Sequence, residues 1–202
     1  MKKFNHNFNN KNSKDSDKRF LDDYYSRYQK ILFDSRDDNS ILELRNAISK
    51  THFNNGKLIF IGNGASASLA SHAATDFTKQ AKITSVAFND HNLITALSND
   101  YGYHNWVAKA IEFYSAPKDM IVFISVSGES INLIEGINFA NERSMTTASL
   151  TGSRKTNSLK MKSKYSLWVN SKAYNIVESI HTIWITLIID LFVGSPEYMV
   201  NN

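Results

Sequence analysis

Two short segments of this 202-residue sequence combine glycine with hydroxyl side chains, a combination that can bind an anion through neutral donors. Residues 62–66 are Gly-Asn-Gly-Ala-Ser, and residues 125–130 are Ser-Val-Ser-Gly-Glu-Ser. Neither segment has the Gly-Lys-Ser/Thr of a Walker loop, which argues against a nucleoside triphosphate and against a nucleotide cofactor. A plain structural turn is the alternative for the first segment alone. Together the two segments predict a phosphate site formed by Asn63, Gly64, Ala65, Ser66, Ser125, Val126, Ser127 and Ser130.

Two pairs of titratable residues have the spacing of neighbours on one helix face. His72 and Asp76 are four residues apart, and Glu178 and His181 are three apart. The first pair could share a ligand or a metal, or could be an ordinary hydrogen-bonded pair on one helix. Glu178 lies among apolar residues, where an unpaired carboxylate is costly, so we favour a function for it. Such groups could move a proton between neighbouring carbons of a sugar through an enediol.

Apolar runs and helical stretches alternate along the chain and predict the elements that position these residues. Strands are expected at 57–61, 84–88, 120–124, 146–150 and 165–169, and helices near 92–98, 105–115, 130–142 and 174–193. Alternation of this kind predicts a parallel sheet covered by helices on both faces. In such a sheet, ligands bind outside the carboxyl ends of the strands, and both phosphate segments follow a predicted strand.

The chain before the first strand divides into a polar tail and two helices. Residues 1–18 are mostly Asn, Lys, Ser and Asp, which predicts a disordered tail followed by one domain over residues 19–196. Helical spacing of apolar residues appears at 20–33 and 40–53, and Ser40 with Glu43 forms a capping-box pattern that predicts the start of the second helix.

Composition narrows the function classes. The chain has no cysteine, which excludes disulfides and thiolate metal sites and favours the cytoplasm. The net charge of +4 comes largely from the first nineteen residues, so nucleic-acid binding is disfavoured and would depend on the tail. The most apolar stretch, 180–193, is short for a membrane span and contains polar residues, so we expect no membrane association.

Four motifs, in order, resemble the sugar isomerase (SIS) domain family, and most closely its phosphoheptose isomerase branch. They are GNGASASLASH at 62–72, ALSNDYG at 96–102, SVSGES at 125–130 and YNIVESIH at 174–181. The resemblance implies a three-layer, doubly wound α/β fold with five parallel strands, flavodoxin-like, preceded by N-terminal helices. It also implies a homotetramer with active sites at subunit interfaces, a phosphorylated sugar as ligand, and substrate contacts from Asn99 and Asp100.

The same resemblance implies an activity and a metal. The activity is interconversion of sedoheptulose 7-phosphate and D-glycero-D-manno-heptose 7-phosphate. The implied catalytic residues are Asp76 and Glu178, and the implied zinc ligands are His72, Asp76 and Glu178. His181 is a further catalytic candidate from its spacing alone, because it could substitute as a ligand or base if its helix face points inward. Two positions depart from the family pattern, because Asp76 stands where Glu is expected and Thr186 stands where the fourth ligand, a His, is expected. Zinc binding is therefore in question.

These departures leave an alternative. A non-catalytic relative could bind a phosphosugar as a regulator or scaffold, like the family members that associate with the bacterial replication initiator. A third hypothesis is that the protein binds a sugar nucleotide or a nucleic acid through its basic tail.

Overall fold

The computed structural model describes residues 13–197, where five β-strands and eight α-helices follow one another. The strands are β1 (Leu58–Gly62), β2 (Ser85–Ala87), β3 (Met120–Ser125), β4 (Thr146–Thr151) and β5 (Tyr165–Trp168). The helices are α1 (Ser13–Asp34), α2 (Asp38–Phe53), α3 (Ala65–Lys79), α4 (His91–Tyr101), α5 (Trp106–Tyr114), α6 (Ile131–Glu142), α7 (Ser158–Lys162) and α8 (Tyr174–Val193).

The five strands form one parallel sheet in the order β2-β1-β3-β4-β5. The chain first adds β2 on one side of β1 and then crosses to add β3 on the other side. The carboxyl ends of β1 and β3 are therefore adjacent, with Gly62 paired to Ile124. Strand order reverses at this point, which is where open α/β sheets bind ligands.

Helices cover both faces of the sheet, as alternate strand residues show. Leu58 and Phe60 of β1 pack with α2, α3 and α8, whereas Ile59 and Ile61 pack with α5 and α6. All residues of β1 and β3 are buried, which explains why their sequences are continuously apolar rather than alternating. The predicted three-layer, doubly wound α/β fold is confirmed.

Helix α8 is long and apolar enough to cross a membrane by length and composition alone. In the fold it packs against α2, α3 and the sheet, with Ile180, Trp184 and Ile188 in the core. A core helix of a water-soluble domain passes the same compositional test, so its hydropathy is explained by packing.

Two predictions about the N-terminal helices need correction. Helix α1 begins at Ser13, so residues 13–18 are helical rather than part of a disordered tail; residues 1–12 lie outside the described residues. Helix α2 is capped by Asp37, not by Ser40: the Asp37 carboxylate accepts hydrogen bonds from the Ser40 amide at 3.1 Å and from its hydroxyl at 2.7 Å. Asp caps as well as Ser, and the Arg36–Asp38 ion pair stabilises the earlier start.

Candidate active site

Three helices begin around one cavity of about 260 Å³ at the carboxyl edge of the sheet. The cavity is lined by the first residues of α3, the loop leading into α6, and the first turns of α8, represented by Ala65, Ser130 and Tyr174. Within residues 13–197, no side chain caps α3, α6 or α8 through a hydrogen bond. In contrast, Asp37, Asp90 and Asn157 cap α2, α4 and α7.

Uncapped helix starts carry free N–H groups and the positive end of the helix dipole. Each such start favours an anion, and here three of them face the same space. None of the residues that line the cavity in the described part of the chain is Lys or Arg. The cavity therefore has the character that would suit a phosphate bound by neutral donors, and that binding stays a prediction. We call it the phosphate cradle.

The glycines of the first segment allow a tight turn between β1 and α3. Gly64 has φ +57°, a left-handed conformation that favours glycine. A Cβ on Gly62 would lie within 2.8 Å of Ser66. This close approach brings the buried Ser66 hydroxyl into the cradle lining.

The serine loop is ordered by its own hydroxyls. Ser125 Oγ accepts a hydrogen bond from the Gly128 amide, and Ser127 Oγ accepts one from the Glu129 amide, both at 3.1 Å. A hydroxyl that accepts in this way keeps its proton to donate. Ser125, Ser127 and Ser130 all line the cradle, so the loop presents O–H donors to a ligand.

A reciprocal amide pair joins the two halves of the cradle. Asn63 Nδ2 donates to Asn132 Oδ1 and Asn132 Nδ2 donates to Asn63 Oδ1, both at 3.0 Å. Asn132 is 1% exposed, and the Tyr103 hydroxyl also approaches Asn63 Oδ1 at 3.4 Å. The Asn63 side chain thus helps to hold the cradle together, and its contact with a phosphate stays a prediction. The sequence offered no signal for Asn132 because its partner is 69 residues away.

Helix α7, which the sequence analysis missed, braces the serine loop from the other side. The Glu129 carboxylate accepts hydrogen bonds from the Ser158 amide at 3.0 Å and from its hydroxyl at 2.6 Å. Gly128 has φ +68°, and a Cβ there would collide with the Asn157 side chain. Glu129 is therefore a structural residue of the loop.

Glu178 lies where the cradle meets a second cavity of about 310 Å³ between α3 and α8. Ala65, Ser66 and Glu178 line both cavities. A sugar phosphate held in the cradle can extend into this second cavity, which we call the sugar cavity. The Glu178 carboxylate is half-buried at the junction.

His72 also lines the sugar cavity, but Asp76 does not. His72 Nε2 lies 3.0 Å from Asp76 Oδ2, and the His72 side chain is 64% exposed whereas that of Asp76 is 25% exposed. Because Nε2 lies beside a carboxylate, the proton of the neutral ring sits on Nε2, and Nδ1 is left free for a ligand. Asp76 therefore orients His72 from outside the cavity lining, and its own catalytic role stays a prediction.

His181 belongs to the lining of the sugar cavity, but its side chain is fully buried. Neither ring nitrogen has a hydrogen-bond partner among the described residues. Burial lowers the pKa of His181 to about 4, and the nearby Thr151 backbone opposes that shift. The ring is therefore neutral at pH 7, and its catalytic role stays a prediction.

The predicted zinc ligands do not form a metal site within residues 13–197. No group of three His, Asp or Glu side chains there has the geometry to hold a metal ion. His72 and Asp76 contact each other, Glu178 stands at the cradle, and Thr186 is exposed on α8. The residues of a single chain therefore do not fit zinc.

Asp190 is a half-buried carboxylate that the sequence analysis did not identify. Burial raises its pKa, and the negative charge of Asp76 adds to that rise. One oxygen of Asp190 is buried without a hydrogen-bond partner in the described part of the chain. It lies one helical turn beyond Thr186 on α8.

Asn99 and Asp100 do not reach either cavity within this chain. Both are exposed on α4, and Asn99 Nδ2 donates to Asp100 Oδ1 at 2.9 Å. Their predicted contact with substrate could arise only in another copy of the chain.

Comparison with known proteins agrees with this architecture. The profile of the SIS domain family matches residues 23–152. The phosphoheptose isomerase of Helicobacter pylori (strain HPAG1) is 34% identical over 143 residues, which cover 68% of this chain and 74% of that protein. The enzyme of the same name from Nitratidesulfovibrio vulgaris (strain DSM 19637 / Miyazaki F) is 31% identical over 147 residues, 70% of each chain.

Solved structures give the same result for the fold. Phosphoheptose isomerase GmhA from Neisseria gonorrhoeae superposes with a TM-score of 0.76 at 26% identity, covering 87% of this chain and 98% of that one. A phosphoheptose isomerase from Francisella tularensis gives a TM-score of 0.77 at 21% identity, with coverage of 88% and 98%. At that lower identity the likeness shows the fold alone.

The amide pair makes a testable prediction about the cradle. Replacing Asn132 with Leu removes both hydrogen bonds to Asn63. We expect inorganic phosphate to bind roughly tenfold more weakly, which is a loss of about 1.4 kcal/mol in binding free energy. Isothermal titration calorimetry measures this affinity. Asn138→Leu is the matched control, because Asn138 lies on the same helix and has no side-chain hydrogen bond among the described residues. Equal phosphate affinity in the two variants would contradict a positioning role for Asn132.

His181 makes a prediction about pH. The unfolded chain takes up a proton on His181 below about pH 6.5, while the folded protein resists it until about pH 4. The stability associated with neutral His181 is thus present above pH 6.5 and is lost as the pH falls to 4, by about 3 kcal/mol in total. Urea unfolding at pH 7.5, 5.5 and 4.5 should show a smaller acid loss for His181→Leu than for the wild type. The exposed His52 serves as control: His52→Leu should follow the wild type, and parallel curves for all three proteins would refute the assignment.

Proposed function

Because the chain belongs to the SIS domain family, in its phosphoheptose isomerase branch, we propose that it interconverts sedoheptulose 7-phosphate and D-glycero-D-manno-heptose 7-phosphate. The observation that carries this proposal is the phosphate cradle, where the starts of α3, α6 and α8 meet with Glu178 at the entrance to the sugar cavity. The fold thus supplies both an anchor for the phosphate and room for the sugar.

The phosphate is held by neutral donors in this proposal. Helix-start amides and the hydroxyls of Ser66, Ser125, Ser127 and Ser130 surround the anion, and the three helix dipoles stabilise its charge. Such contacts are alike for the ketose and the aldose. They therefore serve to fix the reacting carbons in place rather than to favour one sugar.

Proton transfer falls to Glu178 and His72. Glu178 removes a proton from the carbon beside the carbonyl, and the doubly protonated form of His72, whose Nε2–H faces Asp76, gives its Nδ1 proton to the carbonyl oxygen, which yields the enediol. Return of a proton to the other carbon, with loss of one from the other oxygen, completes the interconversion. Asp76 orients His72 through the contact with Nε2, and His181 is a neutral, fully buried residue of the cavity lining.

No step of the proposed mechanism uses zinc. In the family pattern a bound zinc would polarise the sugar oxygens, but the departures at Asp76 and Thr186 and the separation of the candidate ligands argue against it in this chain. Substrate binding in the cradle does not depend on those positions.

The non-catalytic alternative is disfavoured. The relatives that are similar over two thirds or more of their length are named as phosphoheptose isomerases, and Glu178 and His72 retain carboxylate and imidazole groups beside the cradle. A regulator would need the cradle but would gain nothing from these groups. We also expect a cytoplasmic protein, because a chain without cysteine suits a reducing compartment.

Self-association into a homotetramer is the second part of the proposal. The side chains of Phe20, Leu21, Tyr25 and Phe33 on α1 are all more than half exposed. Nearby, an apolar cavity of about 450 Å³ opens between α1, α2 and α8, with the half-exposed Leu187 in its lining. Helix α1 packs on the body mainly through its last turns, and an amphipathic helix without a covered apolar face is marginal in water. A second copy of the chain would cover this surface.

The turnover assay tests the function directly. Purified protein incubated with sedoheptulose 7-phosphate should form the aldose phosphate, and the triple variant Ser125→Ala/Ser127→Ala/Ser130→Ala should raise KM because phosphate donors are lost. Glu178→Gln should instead lower kcat with little change in KM. Thr156→Ala, on an exposed loop residue that lines neither cavity, is the control.

The same assay is run after chelation and with added zinc. We expect similar rates in both, since the described residues form no zinc site. The absence of any product under both conditions would refute the enzymatic function. A rate that appears only with zinc would refute the metal-free mechanism while leaving the activity intact.

Light scattering tests the self-association. The full chain should have the mass of a tetramer, and Phe33→Glu/Leu187→Glu should reduce it by placing charges on the apolar face. Met161→Glu, an exposed position on α7 away from that face, should leave the mass unchanged. A monomeric wild-type protein would contradict the proposal.

A further inference from the structure

A second polar concavity lies at the opposite edge of the sheet from the phosphate cradle. It has a volume of about 310 Å³ and is bounded by the end of α2, the loop before β3, and the first residues of β4 and β5. Because β1 and β3 are five and six residues long, the two edges are separated by roughly 16–20 Å. One sugar phosphate cannot occupy both places. We call this concavity the lysine pocket.

Three lysines from different elements line the lysine pocket. Lys50 belongs to α2, Lys118 precedes β3, and Lys164 precedes β5. Among the described residues, no carboxylate lies in its lining, and none of the three ammonium groups takes part in an ion pair. Like charges placed together repel one another, so this arrangement has an electrostatic cost that a bound anion would remove.

The carboxylate that follows Lys118 in the chain, Asp119, is already paired with Lys57. Asp119 is 3% exposed and accepts hydrogen bonds from the Lys57 ammonium at 2.5 Å, the Lys57 amide at 2.9 Å and the Ala116 amide at 2.8 Å. It has no free capacity to balance the charge of Lys118 next to it. The positive charge of the pocket therefore stays uncompensated within residues 13–197.

Neutral donors accompany the lysines. The hydroxyl-bearing Thr51 and Thr146 and the amide-bearing Asn54 also belong to the lining. Lys50 is stabilised by the C-terminal end of α2, because helix C-termini attract cations. That explanation does not apply to Lys118 and Lys164, which are not on this helix. Ammonium groups combined with hydroxyl and amide donors are the chemistry that binds a multiply charged phosphate ester or diphosphate.

We propose that the lysine pocket binds a small phosphorylated anion at a site separate from the phosphate cradle. The two sites differ in physical character. The cradle uses helix starts and hydroxyls, whereas the lysine pocket uses exposed point charges, so its affinity falls steeply as salt concentration rises. The proposal does not depend on the isomerase activity.

Calorimetric titration with inorganic pyrophosphate at low ionic strength tests the proposal on the full chain. The cradle is first disabled with Ser125→Ala/Ser127→Ala/Ser130→Ala, and this background should still bind one pyrophosphate per chain. Adding Lys50→Met/Lys118→Met/Lys164→Met should weaken that binding at least tenfold. Circular dichroism melting confirms that each variant is folded.

The matched control removes the same number of charges elsewhere. Lys79→Met/Lys82→Met/Lys155→Met, at lysines outside the pocket lining, should leave the affinity of the cradle-disabled background within a factor of two to three. The proposal is overturned if the cradle-disabled protein binds no pyrophosphate. It is equally overturned if the two lysine triples weaken binding to the same extent, because net charge alone would then explain the effect.

Discussion

The structure depends on one electrostatic constraint: three helices begin around the same cavity, and none of their N-cap residues caps them through a side chain. Backbone N–H groups that are partly buried need a partner, and at α2, α4 and α7 the side chains of Asp37, Asp90 and Asn157 supply one. At α3, α6 and α8, as at α5, the N-cap residue makes no such bond. In the proposed function, a phosphate takes the place of a cap at α3, α6 and α8. The strand order makes this arrangement unavoidable, because it brings the ends of β1 and β3 together and sends the following helices to opposite faces.

Hydrogen bonds between distant segments fix the positions of those helix starts relative to one another. The Asn63–Asn132 pair ties the first turn to α6, and the Glu129–Ser158 contacts tie the serine loop to α7. These bonds join segments that are far apart in sequence. Binding energy from the phosphate can then be used to place the sugar, because the donors do not have to be ordered first.

The two edges of the sheet bear different kinds of positive potential. At the carboxyl edge it comes from backbone dipoles, which are fixed by the fold and need no charged side chain. At the amino edge it comes from lysines, which are mobile and strongly hydrated. The proposed proton transfer is assigned to the first edge because Glu178 and His72 line the cavity there. Asp76 and Thr186, which depart from the family pattern, are not part of the cradle lining.

The sequence by itself determined the order of the five strands and of every helix except α7, the parallel three-layer fold and the two segments that line the cradle. These follow from local rules: apolar runs specify buried strands, and glycine followed by serine specifies a tight turn into a helix. Only the tertiary structure decided that Asn63 pairs with Asn132, that Asp76 contacts His72, that His181 is fully buried and that Asn99 and Asp100 lie outside both cavity linings. Helix periodicity shows on which face of the helix a residue lies. It does not show which residues pack against that face, because that depends on how elements distant in sequence come together.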